Sequence, residues 1–182
     1  MIYYGPQIFQ LAGVRSDQAA IFSTAWVGGV NMLLTLVAIF FVDRFGRKPL
    51  LYAGCTGMFV ALATLTYAFS QPVLHGSLSA IALFSLVLYV GCFAFSLGPI
   101  VWLLISEIFP LKARGAGMSI CTVVNWIANF LVSRFFLTMI AKLGTPLTFG
   151  TYAALCIVTI LFVARFVPET KQEELEDVRV GA

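Results

Sequence analysis

The sequence predicts an all-α protein that is embedded in a membrane, and three observations lead to that class. Charged residues make up only 10% of the 182 residues, whereas a soluble domain carries roughly 25%. The mean hydropathy is +0.98. From Pro49 to Ser106, 58 consecutive residues pass without Asp, Glu, Lys or Arg. Because about 20 apolar residues of helix span a ~30 Å hydrocarbon core, this run holds two crossings.

Uncharged windows between charged residues give each helix in order. The windows are 18–42, 50–69, 78–106, 115–133 and 143–164. They predict full spans over about 18–42, 50–69, 78–106, 115–140 and 143–166. Residues 1–11 are expected to be the end of an earlier span, because their aromatic side chains are typical of a membrane interface. A chain that starts within a span indicates a fragment or a late start. Residues 1–167 would then form one transmembrane bundle, and 168–182 a polar, acidic cytoplasmic tail.

The basic residues set the predicted orientation of these helices. Eight of them fall in one set of alternating loops: Arg44, Arg47, Lys48, Lys112, Arg114, Arg165, Lys171 and Arg179. The opposite set holds Arg15 and Lys142. Since basic residues accumulate in cytoplasmic loops, the loops at 43–48 and 108–114 and the C-terminus are predicted to be cytoplasmic.

Several function classes lack their residues in this sequence. The four cysteines fall in four different spans without C-x-x-C spacing, so neither a metal site nor a disulfide is expected. The single histidine, His75, lies in a predicted outer turn, and no glycine-rich phosphate loop is present. A net charge of +3 without a basic patch excludes a nucleic-acid partner. We therefore expect no enzyme activity, no catalytic residue and no cofactor.

Polar side chains follow one face of two predicted helices. Span 18–42 carries Ser23, Asn31 and Thr35, and span 115–140 carries Ser119, Thr122, Asn125, Asn129 and Ser133. Polar groups inside a membrane are costly, so they face protein or water. One interpretation is hydrogen bonding between helices, worth only ~0.6 kcal/mol per pair. The other is a water-filled cavity that binds a neutral polyol. We favour the cavity for Asn125 and Asn129, and both interpretations stay open for Asn31.

The span 78–106 is interrupted by Gly98 and Pro99, and Trp102 follows directly. Proline breaks a helix interior, and interrupted spans in transporters point to the substrate site. Trp102 is either an interface anchor or, as its depth favours, an inward-facing ring that stacks on a sugar. Trp126 is expected to serve packing.

Charged residues meet at the predicted cytoplasmic helix ends. Asp43, Arg44 and Arg47 lie in a very short loop, Glu107 ends one span and Arg114 begins the next. They are either simple positive-inside charge or an ion-pair network that holds one of two conformations. Exposed pairs contribute only ~0–1 kcal/mol each, so such a network would have to be partly buried.

Six motifs now bear on the family. They are Tyr3-Tyr4-Gly5-Pro6-Gln7-Ile8-Phe9, Asp43-Arg44-Phe45-Gly46-Arg47-Lys48, Gly98-Pro99-Ile100-Val101-Trp102, Ser106-Glu107-Ile108-Phe109-Pro110 with Arg114, Asn125-Trp126, and Pro168-Glu169-Thr170-Lys171. In order and spacing they resemble the sugar porter family of the major facilitator superfamily. The resemblance covers the C-terminal half, from the end of helix seven to helix twelve, and is nearest to bacterial proton-coupled galactose, arabinose or xylose symporters.

This resemblance implies a fold and roles. The fold is a C-terminal six-helix bundle with its first helix truncated. Sugar-binding positions would be Asn31, Trp102, Asn125, Asn129, Tyr3, Tyr4 and Gly98. The hinge would be Gly98 and Pro99, and the cytoplasmic ion-pair network would be Asp43, Arg44, Arg47, Glu107 and Arg114.

The implied function is monosaccharide transport by alternating access in the plasma (inner) membrane, as a sugar:proton symporter. A facilitative uniporter is the alternative, and a non-transporting sugar sensor a weaker one. The proton-carrying carboxylate of the symporters belongs to the N-terminal half, which this chain lacks and which is expected as its partner alongside the lipid bilayer.

Overall fold

The computed structural model describes residues 17–71 and 77–169, in which all regular secondary structure is helical. The helices are α1 (Asp17–Phe45), α2 (Arg47–Ser70), α3 (Ser77–Phe95), α4 (Leu97–Ile108) and α5 (Arg114–Phe166). Within these ranges, four runs are long and apolar enough to cross a membrane: Ala25–Val42, Arg47–Ser70, Ala80–Ile108 and Arg114–Phe166. The predicted all-α class is confirmed.

Helix α5 is bent into two segments. Its 53 residues would extend about 80 Å at 1.5 Å per residue, far more than a single ~30 Å crossing needs. The break falls at Gly144, whose φ of 80° and ψ of 163° lie in a region that only glycine populates. Pro146 follows at the start of the second segment, where a proline is tolerated. The segments are named α5a (114–143) and α5b (145–166).

Helix α2 lies at the centre and contacts all four other helices. It contributes to both apolar clusters of the described residues. One cluster, around Leu62, Leu65 and Phe149, joins α2 to α3 and α5. The other, around Leu51, Ile100 and Val163, joins the start of α2 to α4 and the end of α5b. Two clusters on one helix make α2 the support against which the other helices are positioned.

The outer surfaces of α1 and α5a are rich in large apolar side chains. Phe22, Phe40 and Phe130 are 77%, 80% and 65% exposed. Contiguous apolar surface of this kind marks contact with lipid or with protein. Tyr3, Tyr4, His75 and the partial span predicted at 1–11 lie outside the described residues. So do residues 170–182 of the tail predicted at 168–182.

Candidate functional site

The first part of the site is a one-residue turn between α1 and α2. Gly46 is the only residue between the two helices, and its amide donates to the Val42 carbonyl at 3.0 Å. Its φ of 91° and ψ of 165° again require glycine. The turn therefore brings the end of α1 directly to the start of α2.

Glu169 caps the N-terminus of α2 from the far end of the sequence. Its Oε1 accepts from the Arg47 amide at 2.9 Å and its Oε2 from the Lys48 amide at 3.0 Å. The next residue is Pro49, which has no amide hydrogen. The carboxylate thus satisfies the free amides of the first turn, and its charge also complements the positive end of the helix dipole.

Arg47 also forms an ion pair with Glu107 at the end of α4. Arg47 Nη2 lies 2.7 Å from Glu107 Oε1, and Nε donates to Oε2 at 3.3 Å. The two side chains are only 10% and 13% exposed, so solvent screens the pair weakly. Arg47 Nη1 donates to the Val42 carbonyl at 3.4 Å. One guanidinium therefore connects the ends of α1 and α4.

The remaining predicted network residues are placed differently. Arg114 begins α5, and its Nε and Nη2 are buried without a hydrogen-bond partner among the described residues. Arg44 is exposed at the end of α1, and the structure does not describe the side chain of Asp43. The structure therefore brings together Arg47, Glu107 and Glu169, and does not bond Arg114 to Glu107.

The second part of the site is the break between α3 and α4. It falls at Ser96, with φ −126° and ψ −89°, one turn before the predicted hinge at Gly98 and Pro99. The reason is the proline ring, which clashes with the carbonyl four residues earlier, here that of Phe95. Gly98 and Pro99 occupy the first turn of α4, and Trp102 follows, 38% exposed.

An apolar cavity of about 260 Å³ separates α1 from the start of α4. It is lined by Ala38, Ile39, Val42, Pro99, Ile100 and Leu103. None of these side chains carries a polar group, so the cavity is not itself a place for a sugar.

Three polar residues of α5a bond to their own helix. Ser119, Thr122 and Asn129 donate to the carbonyls of Gly115, Met118 and Asn125, at 2.8, 2.8 and 3.0 Å. These bonds do not tie α5a to a neighbouring helix. On α1, by contrast, Thr35 donates to the Asn31 carbonyl at 2.8 Å and reaches the Ala94 carbonyl of α3 at 3.4 Å.

The predicted sugar-binding residues lie on three different helices. Asn31 is half-exposed on α1, Trp102 is on α4, and Asn125 and Asn129 are exposed on α5a. In the described part of the chain, no hydrogen bond or ring contact joins these side chains to one another. The Asn129 amide already donates one hydrogen bond, to the Asn125 carbonyl of its own helix, and the sugar-binding role of all four residues remains a prediction.

Glu169 is the residue that the sequence prediction missed. It was assigned to the polar tail, although it lies directly after the final helix and Pro168. The sequence shows that α2 has no capping side chain of its own, because the residue before it is Gly46. It does not show which residue supplies the cap, since Glu169 lies 122 residues after Arg47. Only the packing of α5b against α2 brings it there.

Known proteins resemble this chain over nearly its whole length. The family model described as "Sugar (and other) transporter" matches residues 1–181. The galactose-proton symporter of Escherichia coli (strain K12) is 41% identical over 178 residues, covering 98% of this chain and 38% of the symporter. D-xylose-proton symporter-like 1 of Arabidopsis thaliana is 39% identical, covering 98% of this chain and 35% of that protein.

A solved structure agrees with these relatives. It is the major facilitator superfamily proton:xylose symporter XylE bound to 6-bromo-6-deoxy-D-glucose, with a TM-score of 0.83 and 36% identity over 97% of this chain and 37% of that one. The chain therefore spans little more than a third of the length of the proteins it matches.

Proposed function

Since this chain belongs to the sugar transporter family, with the fold of the major facilitator superfamily, we propose that it is the C-terminal six-helix bundle of a monosaccharide transporter. The transporter works by alternating access, with the sugar bound between this bundle and an N-terminal half. The relatives named above are proton symporters, which favours a sugar:proton symporter over a facilitative uniporter. The chain lies in the plasma (inner) membrane with its C-terminus in the cytoplasm.

The observation that carries the proposal is the hydrogen bonding of α5a. Ser119, Thr122 and Asn129 each donate to a carbonyl of their own helix, so these three bonds do not hold α5a to its neighbours. Polar side chains are costly to place in lipid. Where such side chains form no bond to another helix, contact with a water-filled passage accounts for their presence. The exposed amides of Asn125 and Asn129 then bind sugar hydroxyls together with Asn31, and Trp102 stacks on the sugar ring beside Gly98. Tyr3 and Tyr4 are proposed on the resemblance alone.

The charged end of the bundle supports both the orientation and the gate. Arg47, Glu107 and Glu169 connect three segments that the positive-inside pattern assigns to the cytoplasm. A partly buried ion pair that forms in only one of two conformations stabilises that conformation. We propose this role for the pair of Arg47 and Glu107. Arg114 Nε and Nη2, which have no partner among the described residues, are proposed to donate to a carboxylate of the N-terminal half in the closed state.

Sugar binding by the complete protein that carries this chain tests the proposal. Trp102→Ala is expected to weaken monosaccharide binding at least tenfold, on the order of the loss of a stacking aromatic side chain at a binding site. Trp26→Ala is the matched control, because Trp26 is a 74% exposed tryptophan on α1 outside the proposed site. Unchanged binding by calorimetry in Trp102→Ala would contradict the placement of the indole.

Uptake into vesicles distinguishes symport from facilitated diffusion. An inward proton gradient should drive accumulation of the sugar above its external concentration, and a protonophore should abolish that accumulation. Equilibration alone, insensitive to the gradient, would support the uniporter. Absence of any sugar uptake, with the protein correctly inserted, would reject the proposed function and leave the sensor.

A further inference from the structure

We infer that Thr35 is a positioning residue for the sugar site, because its hydroxyl holds the part of α1 that carries Asn31 against the end of α3. This inference rests on the proposed function, in which Asn31 binds a sugar hydroxyl. Thr35 lies one helical turn after Asn31 and is not assigned a contact with the sugar. Its effect on sugar binding is exerted through the position of Asn31.

The hydroxyl of Thr35 contacts two backbone carbonyls. It donates to the Asn31 carbonyl, one turn earlier, at 2.8 Å and reaches the Ala94 carbonyl of α3 at 3.4 Å. A hydroxyl has a single hydrogen, so the two acceptors share it. The first contact lies within α1 and the second joins two helices. The Thr35 side chain therefore connects the backbone of Asn31 directly to α3.

The carbonyl on α3 can accept this hydrogen bond because α3 ends there. Ala94 is the second-last residue of the helix, and the last four carbonyls of a helix have no donor within that helix. Two neighbouring carbonyls of the same turn are bonded by Ser96, whose hydroxyl donates to Cys92 and whose amide donates to Phe93. Thr35 supplies a donor to this helix end from a different helix.

Close packing of α1 on α3 brings the hydroxyl to this place. Ala94 is 1% exposed, and Ala38, about one turn after Thr35, is 0% exposed. A Cβ atom at Gly91 would lie 3.0 Å from Leu34 Cδ1, so α1 approaches α3 where Gly91 has no side chain. Small residues on both helices thus place the Thr35 hydroxyl within reach of the Ala94 carbonyl.

Sugar binding by the complete protein, measured by calorimetry, tests the inference. Thr35→Val keeps the branched shape of the side chain and removes its hydroxyl. It should raise the Kd about threefold, the ratio that corresponds to an average hydrogen bond between membrane helices. Thr35→Ser retains the hydroxyl and should stay within about 1.5-fold of the unsubstituted protein, well below that ratio. A Kd that is unchanged in Thr35→Val, or equally raised in Thr35→Ser, would overturn the inference.

Thr64→Val is the matched control. Thr64 on α2 donates to the Val60 carbonyl of its own helix, also at 2.8 Å, and has no hydrogen bond to another helix among the described residues. The same substitution therefore removes the same bond within a helix, without a contact between helices. It should change the Kd by less than about 1.5-fold, and an effect as large as that of Thr35→Val would contradict the inference.

The Asn31→Ala background separates positioning of Asn31 from a general structural role. Because Thr35 acts through the Asn31 side chain, its hydroxyl should no longer matter once that side chain is absent. Thr35→Val should then raise the Kd by less than about 1.5-fold further, which makes the two substitutions non-additive. The full threefold effect in this background would show that Thr35 acts elsewhere and would overturn the inference.

Chemical labelling of position 31 tests the positioning without sugar. Asn31→Cys is made in the complete protein with the four native cysteines of this chain replaced by alanine, and it retains the backbone carbonyl that Thr35 contacts. Its rate of reaction with a water-soluble maleimide should change at least about twofold with Thr35→Val and clearly less with Thr64→Val. An unchanged rate would overturn the inference, also where Asn31→Ala binds sugar too weakly for calorimetry.

Two provisions keep the outcomes distinguishable. If Thr35→Val does not fold, Thr35→Ala removes the same hydroxyl with a smaller side chain and must give the same changes in Kd and labelling rate, or the inference fails. A protein that binds no sugar but whose labelling rate responds to Thr35→Val would reject the proposed function and retain the positioning. Sugar binding that is insensitive to Thr35→Val would reject only the positioning.

Discussion

The ion pair between Arg47 and Glu107 predicts that the free-energy costs of substituting its two residues are not additive. Glu107→Leu removes the charge that compensates Arg47, and Arg47→Met removes the charge that compensates Glu107. Both side chains are about nine-tenths buried, and two short contacts join them, of 2.7 and 3.3 Å. Removing one partner of a buried pair costs about 3–5 kcal/mol. Because these two groups keep some access to water, we expect about 2–3 kcal/mol for each single substitution.

The double substitution should cost much less than the sum. Arg47→Met with Glu107→Leu leaves no unpaired charge and places apolar side chains beside the cluster of Leu51, Ile100 and Leu104. Replacing a buried pair by apolar residues is often close to neutral, so the coupling energy should be about 2 kcal/mol or more.

Unfolding of the purified protein in detergent, followed by tryptophan fluorescence against increasing sodium dodecyl sulfate, measures these free energies. Lys112→Met is the control, because exposed Lys112 lies in the loop after Glu107 and should change stability by no more than about 0.5 kcal/mol. Additive costs in the double variant, or single variants as mild as the control, would refute the reasoning that the pair is desolvated.

Three further predictions concern the same protein in thermal unfolding. Glu169→Ala should destabilise it by about 1–2 kcal/mol, because two first-turn amides lose their acceptor, whereas the neighbouring Pro168→Ala should not. Gly46→Ala should cost about 1–3 kcal/mol from backbone strain, and the added methyl group would also overlap the Glu169 carboxylate. A smaller cost in the Glu169→Ala background would verify the contribution of this overlap. Phe149→Ala should cost about 3–5 kcal/mol, because Phe149 is 0% exposed and stacks on Phe69 at 5.5 Å, and equal stability would contradict that packing.

The fold class was predictable because its cause is local. An uncharged run such as 49–106 requires lipid wherever it lies, and a glycine between charged residues, as at Gly46, predicts a tight turn. The proline rule located the interruption of the third span to within one turn. The shift from Pro99 to Ser96 arises because the ring displaces the preceding turn and leaves the first turn of α4 intact.

The contacts between distant segments were less accessible to sequence reasoning. Arg47 and Glu107 were proposed as partners, because both carry charge at helix ends on the same predicted side. Gly54 of α2 is another example, because a Cβ atom at this position would overlap the Ser96 side chain. The sequence of an apolar helix does not show that such a neighbour is present. The break at Gly144 was predicted slightly too early, because the two predicted spans were separated at Lys142, whereas the backbone turns only where glycine permits it.

The cap from Glu169 has a consequence for biosynthesis. A ribosome must add 122 more residues after Arg47 before the acceptor for the Arg47 amide exists, which takes several seconds at about 5–20 residues per second. During that interval the junction of α1 and α2 lacks its cap, and it is completed only after α5b has packed against α2. Faulty insertion of α5b therefore leaves a defect at a turn that was synthesised long before it, between α1 and α2.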